Sequence, residues 1–297
     1  MKRRFVTLDV FTSRRHAGNP LAVVLESEGL DTEAMQAIAC EFNLSETVFL
    51  AAPEQPGHRA ALRIFTPGGE LPFAGHPTVG TAVWLALHDE AEGKLSEMMV
   101  LEEKIGLVSC AVLVTGSHGG RAVFTLPRLP ERLGGTPPPA TLAAALGIDA
   151  AAIGFDGHRP SAFTAGVPYA CVPLASRAAV AQAWPDMARW DAAFPEIAAF
   201  VYSRETAEAG HAYHARMFAP NLGVLEDPAT GSAVAAFAGA IMAHDRPEDG
   251  EHRLVIEQGY EMGRPSQITL ELTVADGALA SARIGGSAVL VSEGVLL

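Results

Sequence analysis

Alternating apolar and polar positions recur along most of the chain and predict β-strands far more often than helices. Such runs cover residues 5–11, 21–25, 47–51, 60–65, 107–114 and 122–126 in the first half. The second half supplies 170–174, 199–202, 213–218, 254–258 and 268–274. Helical periodicity is rarer. Asp31 can cap a helix that runs to Phe42 and sets Met35, Ile38, Ala39 and Phe42 on one face. Two further segments, 78–87 and 232–243, are apolar nearly all round, which predicts helices buried on every side.

The pattern also repeats. Gly18-Asn19-Pro20-Leu21-Ala22-Val23 matches Gly166-Val167-Pro168-Tyr169-Ala170-Cys171, 148 residues on. Arg63-Ile64-Phe65-Thr66-Pro67 matches Arg216-Met217-Phe218-Ala219-Pro220 with a shift of 153. His76-Pro77-Thr78-Val79-Gly80-Thr81-Ala82-Val83 matches Asp227-Pro228-Ala229-Thr230-Gly231-Ser232-Ala233-Val234 with a shift of 151. Three matches in one order and near one offset predict two homologous halves, with the Gly- and Pro-rich stretch 134–139 as linker. A half-buried sheet needs its apolar face covered, and a helix apolar all round needs covering everywhere. The predicted fold is therefore α+β, each half a curved sheet or barrel wrapped around one central apolar helix.

Composition narrows the function classes. The chain has 297 residues, 49% of them apolar and 19% charged, as in an ordinary folded protein of about two domains. A net charge of −13 repels phosphate backbones and anionic lipid, so neither nucleic acid nor a membrane is an expected partner. Asp9 interrupts the apolar stretch after the basic start, and the longest apolar run, 233–243, is too short to span a bilayer. The cysteines Cys40, Cys110 and Cys171 are odd in number and widely spaced. They read as buried thiols of a reducing cytoplasm, with no disulfide frame and no zinc site.

The repeat nominates its own chemistry. Each repeated loop is rich in Gly and Pro and precedes a buried helix, whose first N–H groups and positive dipole end suit a carboxylate or phosphate. Gly75 at the first helix, and Gly231 with Ser232 at the second, leave room for an anion against the backbone. A simple capped helix start, with Asp227 or Ser232 as cap, reads the same residues equally well. His76 and Asp227 hold equivalent places, each directly before Pro. An imidazole can exchange protons near neutral pH, and a carboxylate can orient it or accept a hydrogen bond from substrate. Glu46, between a helix end and an apolar strand, is either a solvated turn residue or a carboxyl in an apolar cleft, where desolvation would raise its pKa. His211 and His214 form an HxxH pair that strand geometry would put on opposite faces, a poor metal site. GxGxxG, P-loop, HExxH and GxSxG motifs are absent.

Ser45-Glu46-Thr47, Phe73-Ala74-Gly75-His76-Pro77-Thr78 with Gly80, and Glu226-Asp227-Pro228-Ala229-Thr230-Gly231-Ser232-Ala233 together resemble the phenazine-biosynthesis PhzF-like family. Gly18-Asn19-Pro20-Leu21-Ala22-Val23, Glu257-Gln258-Gly259 and Gly263-Arg264-Pro265-Ser266 extend the resemblance over almost the whole chain. It implies a diaminopimelate-epimerase-like fold of two pseudo-symmetric halves with the active site between them. One half would be 1–130 joined by the last strand, 283–297, and the other 131–282. It also implies a homodimer without cofactor, and no metal is expected. The activity implied is an isomerase of the trans-2,3-dihydro-3-hydroxyanthranilate type, moving a proton on a small carboxylic acid. Glu46 then matches the residue that moves the proton, and His76 and Asp227 the polar pair that assists it. Gly75, His76, Gly231 and Ser232 match the positions that hold the substrate. The same fold hosts epimerases with two catalytic thiols, but Ala74 and Ala229 stand near those places here, so two-thiol chemistry is not expected. The alternatives are a non-catalytic small-acid binder using the same cleft, and a partner-binding protein with a vestigial one. The loops 14–17 and 154–164 are the expected specificity determinants.

Overall fold

The computed structural model describes residues 2–91 and 97–297, which divide into two compact units, residues 1–127 with 285–297 and residues 128–284. The first unit runs β1 (Arg3–Val10), β2 (Asn19–Val24), α1 (Thr32–Phe42), β3 (Glu46–Ala51), β4 (Ala60–Thr66), β5 (Gly69–Leu71), α2 (Gly75–Ala91), β6 (Met98–Glu103), β7 (Gly106–Val114) and β8 (Gly119–Thr125). The second continues β9 (Glu131–Arg132), α3 (Pro139–Leu146), β10 (Ser161–Thr164), β11 (Pro168–Pro173), α4 (Arg177–Gln182), α5 (Trp190–Ala193), β12 (Ala198–Ser203), β13 (Tyr213–Ala219), β14 (Val224–Asp227), α6 (Gly231–His244), β15 (Gly250–Gln258) and β16 (Ser266–Ala275). A last long strand, β17 (Ala278–Leu296), begins in the second unit and ends in the first. The stretch 134–139 lies inside the second unit, joining β9 to α3, so it is not the junction its composition suggested.

In the first unit β1 pairs antiparallel with β2, β2 parallel with β3, β3 antiparallel with β4 and β4 parallel with β6. β6, β7 and β8 follow antiparallel, and β17 pairs with both β8 and β1. The ring is thus a closed barrel of eight strands, which leaves no open edge. Its interior is filled by α2, buried without a break from Gly75 to Val83 and again at Leu85 and Ala86. Each buried Val or Leu of such a helix contributes about 1.5–3 kcal/mol, and from Gly75 to Val83 no polar face is needed because no side of those turns meets water. Gly80 sets how closely the helix approaches the wall. A Cβ there would lie 2.6 Å from Leu21 Cδ2 and 2.7 Å from Val10 Cγ2. Near the far end, Arg59 grips buried Asp89 through two hydrogen bonds of 2.9 and 2.7 Å. Asp31 caps α1 as the sequence predicts, accepting from Ala34 N at 2.8 Å, and Met35 and Ala39 pack on Val24, Phe49 and Phe65.

The second unit repeats the order: β10 antiparallel to β11, β11 parallel to β12, β12 antiparallel to β13, and β13 parallel to β15, which pairs with β16. Its central helix α6 packs on β9, β10, β11 and β16, with Phe237 against Phe200, Tyr202 and Tyr213. A second apolar layer lies outside the sheet, where Leu142, Leu146, Val180, Trp190 and Phe194 cover Val172 and Val201. Among the described residues no helix is long and apolar enough to cross a membrane. Cys110 and Cys171 are buried as expected, but Cys40 is exposed. It sits on the outer side of α1, one position past the buried Ala39, with its Sγ 3.2 Å from the Pro67 carbonyl.

Candidate active site

In the first unit, two of the nominated residues meet. Asn43, in the left-handed region at φ 51°, ends α1 with its N–H on the Ala39 carbonyl, and Glu46 opens β3 three residues later. The parallel register sets Glu46 opposite Leu21, beside the start of β2 where Asn19 lies buried. His76 is the second residue of α2, and Pro77 follows inside the first turn, where its missing N–H costs nothing. Glu46 Oε2 lies 3.3 Å from His76 Nδ1, with the side chains 15% and 3% exposed. Asn19 Nδ2 lies 3.4 Å from the same Nδ1. Glu46 is therefore not a solvated turn residue.

Burial alone pushes the His76 pKa down to about 3, so the ring is neutral at physiological pH. It works here as a hydrogen-bonding group rather than a cation. With Nδ1 accepting from the Asn19 amide, the single ring proton sits on Nε2. That Nε2 is buried and has no hydrogen-bond partner among the described residues. An unsatisfied buried donor of this kind costs free energy in the protein alone and becomes favourable when a ligand oxygen takes it. Gly75, the first residue of α2, is buried beside it.

In the second unit Asp227 ends β14, buried, with Thr230 Oγ1 donating to its Oδ2 at 2.5 Å. Arg216 holds the preceding Glu226 with a fork of 2.7 and 2.8 Å, and Arg63 holds Glu70 in the same way at 2.8 and 3.0 Å. Gln258 staples the loop: its Nε2 donates to the Asp227 carbonyl at 2.7 Å and to Thr230 Oγ1 at 3.0 Å. Its Oε1 accepts from Thr230 N at 3.1 Å. Gly259 is the residue this packing requires. It has φ +77°, and a Cβ would lie 2.4 Å from the Arg264 carbonyl and 2.5 Å from that of Pro228. Gly231 opens α6. Thr230 occupies the N-cap but makes no side-chain capping bond, since its hydroxyl is turned to Asp227. Ser232 meets Tyr169, hydroxyl to hydroxyl, at 2.8 Å. Neither Asp227 nor Ser232 acts as the cap of α6.

His211 and His214 do not diverge. His211 precedes β13, so strand alternation does not reach it, and both rings converge on Glu257. Glu257 accepts from His211 Nδ1 at 2.7 Å, His214 Nδ1 at 2.9 Å and the backbone N–H groups of Ala207 and Glu208, each at 2.7 Å. Burial would raise its pKa, but these donors outweigh it and hold it down to about 2. His214 also meets Glu261 at 2.8 Å. Burial would lower its pKa, and the two carboxylates instead hold it above the usual value. Among the described residues no group of three or more His, Cys, Asp or Glu is arranged to hold a metal. Sequence reasoning assigned no role to Asn19, Thr230 or Gln258, although the quoted motifs contain all three. A neutral amide gives no chemical signal until its partners are known.

Comparisons with known proteins agree on one family. The model of the phenazine biosynthesis-like proteins matches residues 8–294. An uncharacterized isomerase of Mesorhizobium japonicum is 52% identical over 99% of this chain and 98% of its own. The trans-2,3-dihydro-3-hydroxyanthranilate isomerase of Pseudomonas aeruginosa is 35% identical over 98% of each. In fold, a PhzF-family protein of Bacillus anthracis superposes with a TM-score of 0.88 at 24% identity, covering 100% of this chain and 99% of that one. Closed barrel, internal helix and a match that runs nearly end to end lead to one conclusion: the chain belongs to the phenazine biosynthesis-like (PhzF) family of isomerases.

Proposed function

We propose that the protein is a cofactor-independent isomerase that moves a proton on a small carboxylic acid, cyclic or open-chain, of the trans-2,3-dihydro-3-hydroxyanthranilate type. The observation that carries this reading is the pair Glu46 and His76, a carboxyl 3.3 Å from a buried ring held neutral. Glu46 takes the proton from a substrate carbon, and the electron pair left behind delocalises toward the acid group. Protonated Glu46 then returns the proton to another carbon of the delocalised system, so the double bond shifts and no proton is gained or lost. While the proton is held on Glu46, the single lone pair of His76 Nδ1 passes from the Asn19 amide to the Glu46 O–H, 3.3 Å away. The Nε2–H of His76 is the donor offered to a substrate oxygen as charge develops there.

Asp227 and the start of α6 are assigned to binding. Asp227 accepts from a hydroxyl or ammonium group of the substrate, and the first N–H groups at Gly231 and Ser232, like that at Gly75, suit its carboxylate. The resemblance further implies a homodimer, which light scattering of the purified chain would test.

The test is a proton NMR time course in D₂O with trans-2,3-dihydro-3-hydroxyanthranilate. The wild type is expected to convert it, with solvent deuterium entering at the carbon that receives the proton. Glu46→Gln is expected to lower turnover by about 10²–10⁴-fold, the usual worth of a general acid–base group, with binding largely kept. Full activity in Glu46→Gln would remove Glu46 from the mechanism. Binding without turnover in the wild type would favour the non-catalytic binder or another small acid.

A further inference from the structure

Glu103 closes β6 with only 8% of its surface exposed, and no step above uses it. Its Oε1 lies 2.7 Å from Thr78 Oγ1, and that hydroxyl lies 2.8 Å from the Ala74 carbonyl. A threonine hydroxyl has one proton, and a carbonyl can only accept. Both contacts are satisfied together only if Thr78 donates to Ala74 and accepts from Glu103. The carboxyl must then carry a proton of its own. Its surroundings favour that form, because burial pushes its pKa up to about 8. Among the described residues, the groups that interact with it are Thr78 from α2 and Cys110 from β7, whose thiol is itself pushed up to about 12 by burial and by Glu103. Neither brings a positive charge that would hold Glu103 ionised.

The second unit builds the same relay from different residues. β4 pairs parallel with β6, setting Ala61 opposite Glu102, and β13 pairs parallel with β15, setting His214 opposite Glu257. Glu103 and Gln258 therefore hold equivalent positions. Gln258 Nε2 donates to Thr230 Oγ1 at 3.0 Å, and Thr230 Oγ1 donates to Asp227 at 2.5 Å. In both units the last residue of a strand is hydrogen-bonded to a threonine at a helix start. That threonine donates on to the loop bearing a nominated residue: Ala74, two places before His76, or Asp227 itself.

We propose that Glu103 is a positioning residue working as a neutral acid, the counterpart of Gln258, and that through Thr78 and Ala74 it fixes the turn from which His76 faces Glu46. Its effect on turnover rests on the function proposed above; its effect on the turn does not. Ionisation of Glu103 draws the Thr78 hydroxyl away from Ala74 and loosens that turn, so the carboxyl couples the site to alkaline pH.

Three forms of the full chain test this: wild type, Glu103→Gln and Glu103→Leu. Glu103→Gln installs the amide the second unit already uses. It is expected to keep kcat at pH 7 and the slow amide exchange of Thr78, whose N–H donates to the Ala74 carbonyl. Glu103→Leu is expected to speed that exchange and to lower kcat by about 10–100-fold with little change in KM, the usual cost of a misplaced group. In the wild type kcat is expected to fall with a midpoint near pH 8, and Glu103→Gln to lose that limb. Infrared spectra should show a protonated carboxyl band at pH 7 that Glu103→Gln lacks. If the wild type does not isomerise the substrate, the proposed function fails, while the exchange and infrared results still decide the positioning role. If Glu103→Leu does not fold, the pH profile, exchange and infrared band of Glu103→Gln decide it. An ionised Glu103 at pH 7, exchange in Glu103→Gln as fast as in an open turn, or unchanged exchange in Glu103→Leu would each overturn the proposal.

Discussion

Burial in the barrel decides what the titratable side chains His76 and Glu103 can do. A histidine before a helix suggests a proton carrier near neutral pH. The barrel instead encloses His76 and removes its charge, leaving a fixed tautomer with one donor and one acceptor. The linkage follows from the direction of the shift. Folded His76 titrates near 3 and an unfolded histidine near 6.5, so the unfolded chain binds more protons between those values. Its contribution to stability is complete above about 6.5 and declines as the pH falls toward 3. The C2–H resonance of His76 is therefore expected to stay constant from pH 5 to 8 while exposed histidines move. A His76 resonance titrating near 6.5 would mean that the ring is solvated and charged in acid, and the role of Nε2–H as a ligand donor would fall. Glu103 has the opposite linkage. Its folded pKa is near 8 against 4.5 unfolded, so its contribution to stability declines as the pH rises through that window. Glu103→Gln should flatten that part of the stability profile, which denaturant titrations between pH 5 and 9 would read.

At the scale of elements, the strands with clear alternation and the two helices apolar all round were legible, because a fully enclosed helix has no polar stripe to disguise it. Three repeated segments were also legible, since each keeps several side chains in register. The pieces that complete the candidate site were not. β6, which carries Glu103, reads Met-Met-Val-Leu-Glu-Glu, and its acidic end hides a strand whose last carboxyl turns inward. A fourth repeat is visible only in three dimensions. Glu102 accepts from His58 Nδ1 and from the N–H groups of Glu54 and Gln55, as Glu257 does from His211, Ala207 and Glu208. Single residues at shifts of 153 and 155 carry no signal along the chain. Gly80 shows how tightly an element is specified once packed. Inside most helices Gly→Ala stabilises by about 1 kcal/mol, because alanine loses less backbone entropy. Here the added methyl meets Leu21 and Val10 at 2.6 and 2.7 Å, and overpacking should win. Gly80→Ala is expected to destabilise by about 1–3 kcal/mol, seen as a lower Tm and denaturant midpoint. A stabilised variant would show that the wall around α2 yields.

At the scale of the whole molecule, the order of connections matters more than any one contact. Seven strands of the first unit's ring come from the first 127 residues, and the eighth is supplied by the last stretch of the chain. β17 pairs with β1 over Arg3 to Val10 and also with β8, so it is the stave that closes the ring. An open sheet can exist without closure when each face has its own cover. This one cannot, because among the described residues its inner face is covered by α2, whose turns from Gly75 to Val83 have no polar side to turn toward a gap. Removing residues 288–297 should therefore do more than expose two strand edges. It should let water reach Val79, Val83 and their neighbours, at about 1.5–3 kcal/mol for each large side chain exposed, more than a marginally stable unit can lose. The expected result is a chain in which β1, β8 and α2 lose amide-exchange protection together. The second unit, with its own cores around Phe237 and Trp190, should keep its protection. The exposed edges of β1 and β8 should also make the truncated chain aggregate. Retained protection in β1 and α2 would show instead that the seven-strand sheet and its helix are stable without the closing strand, and that the return of the chain serves the site alone.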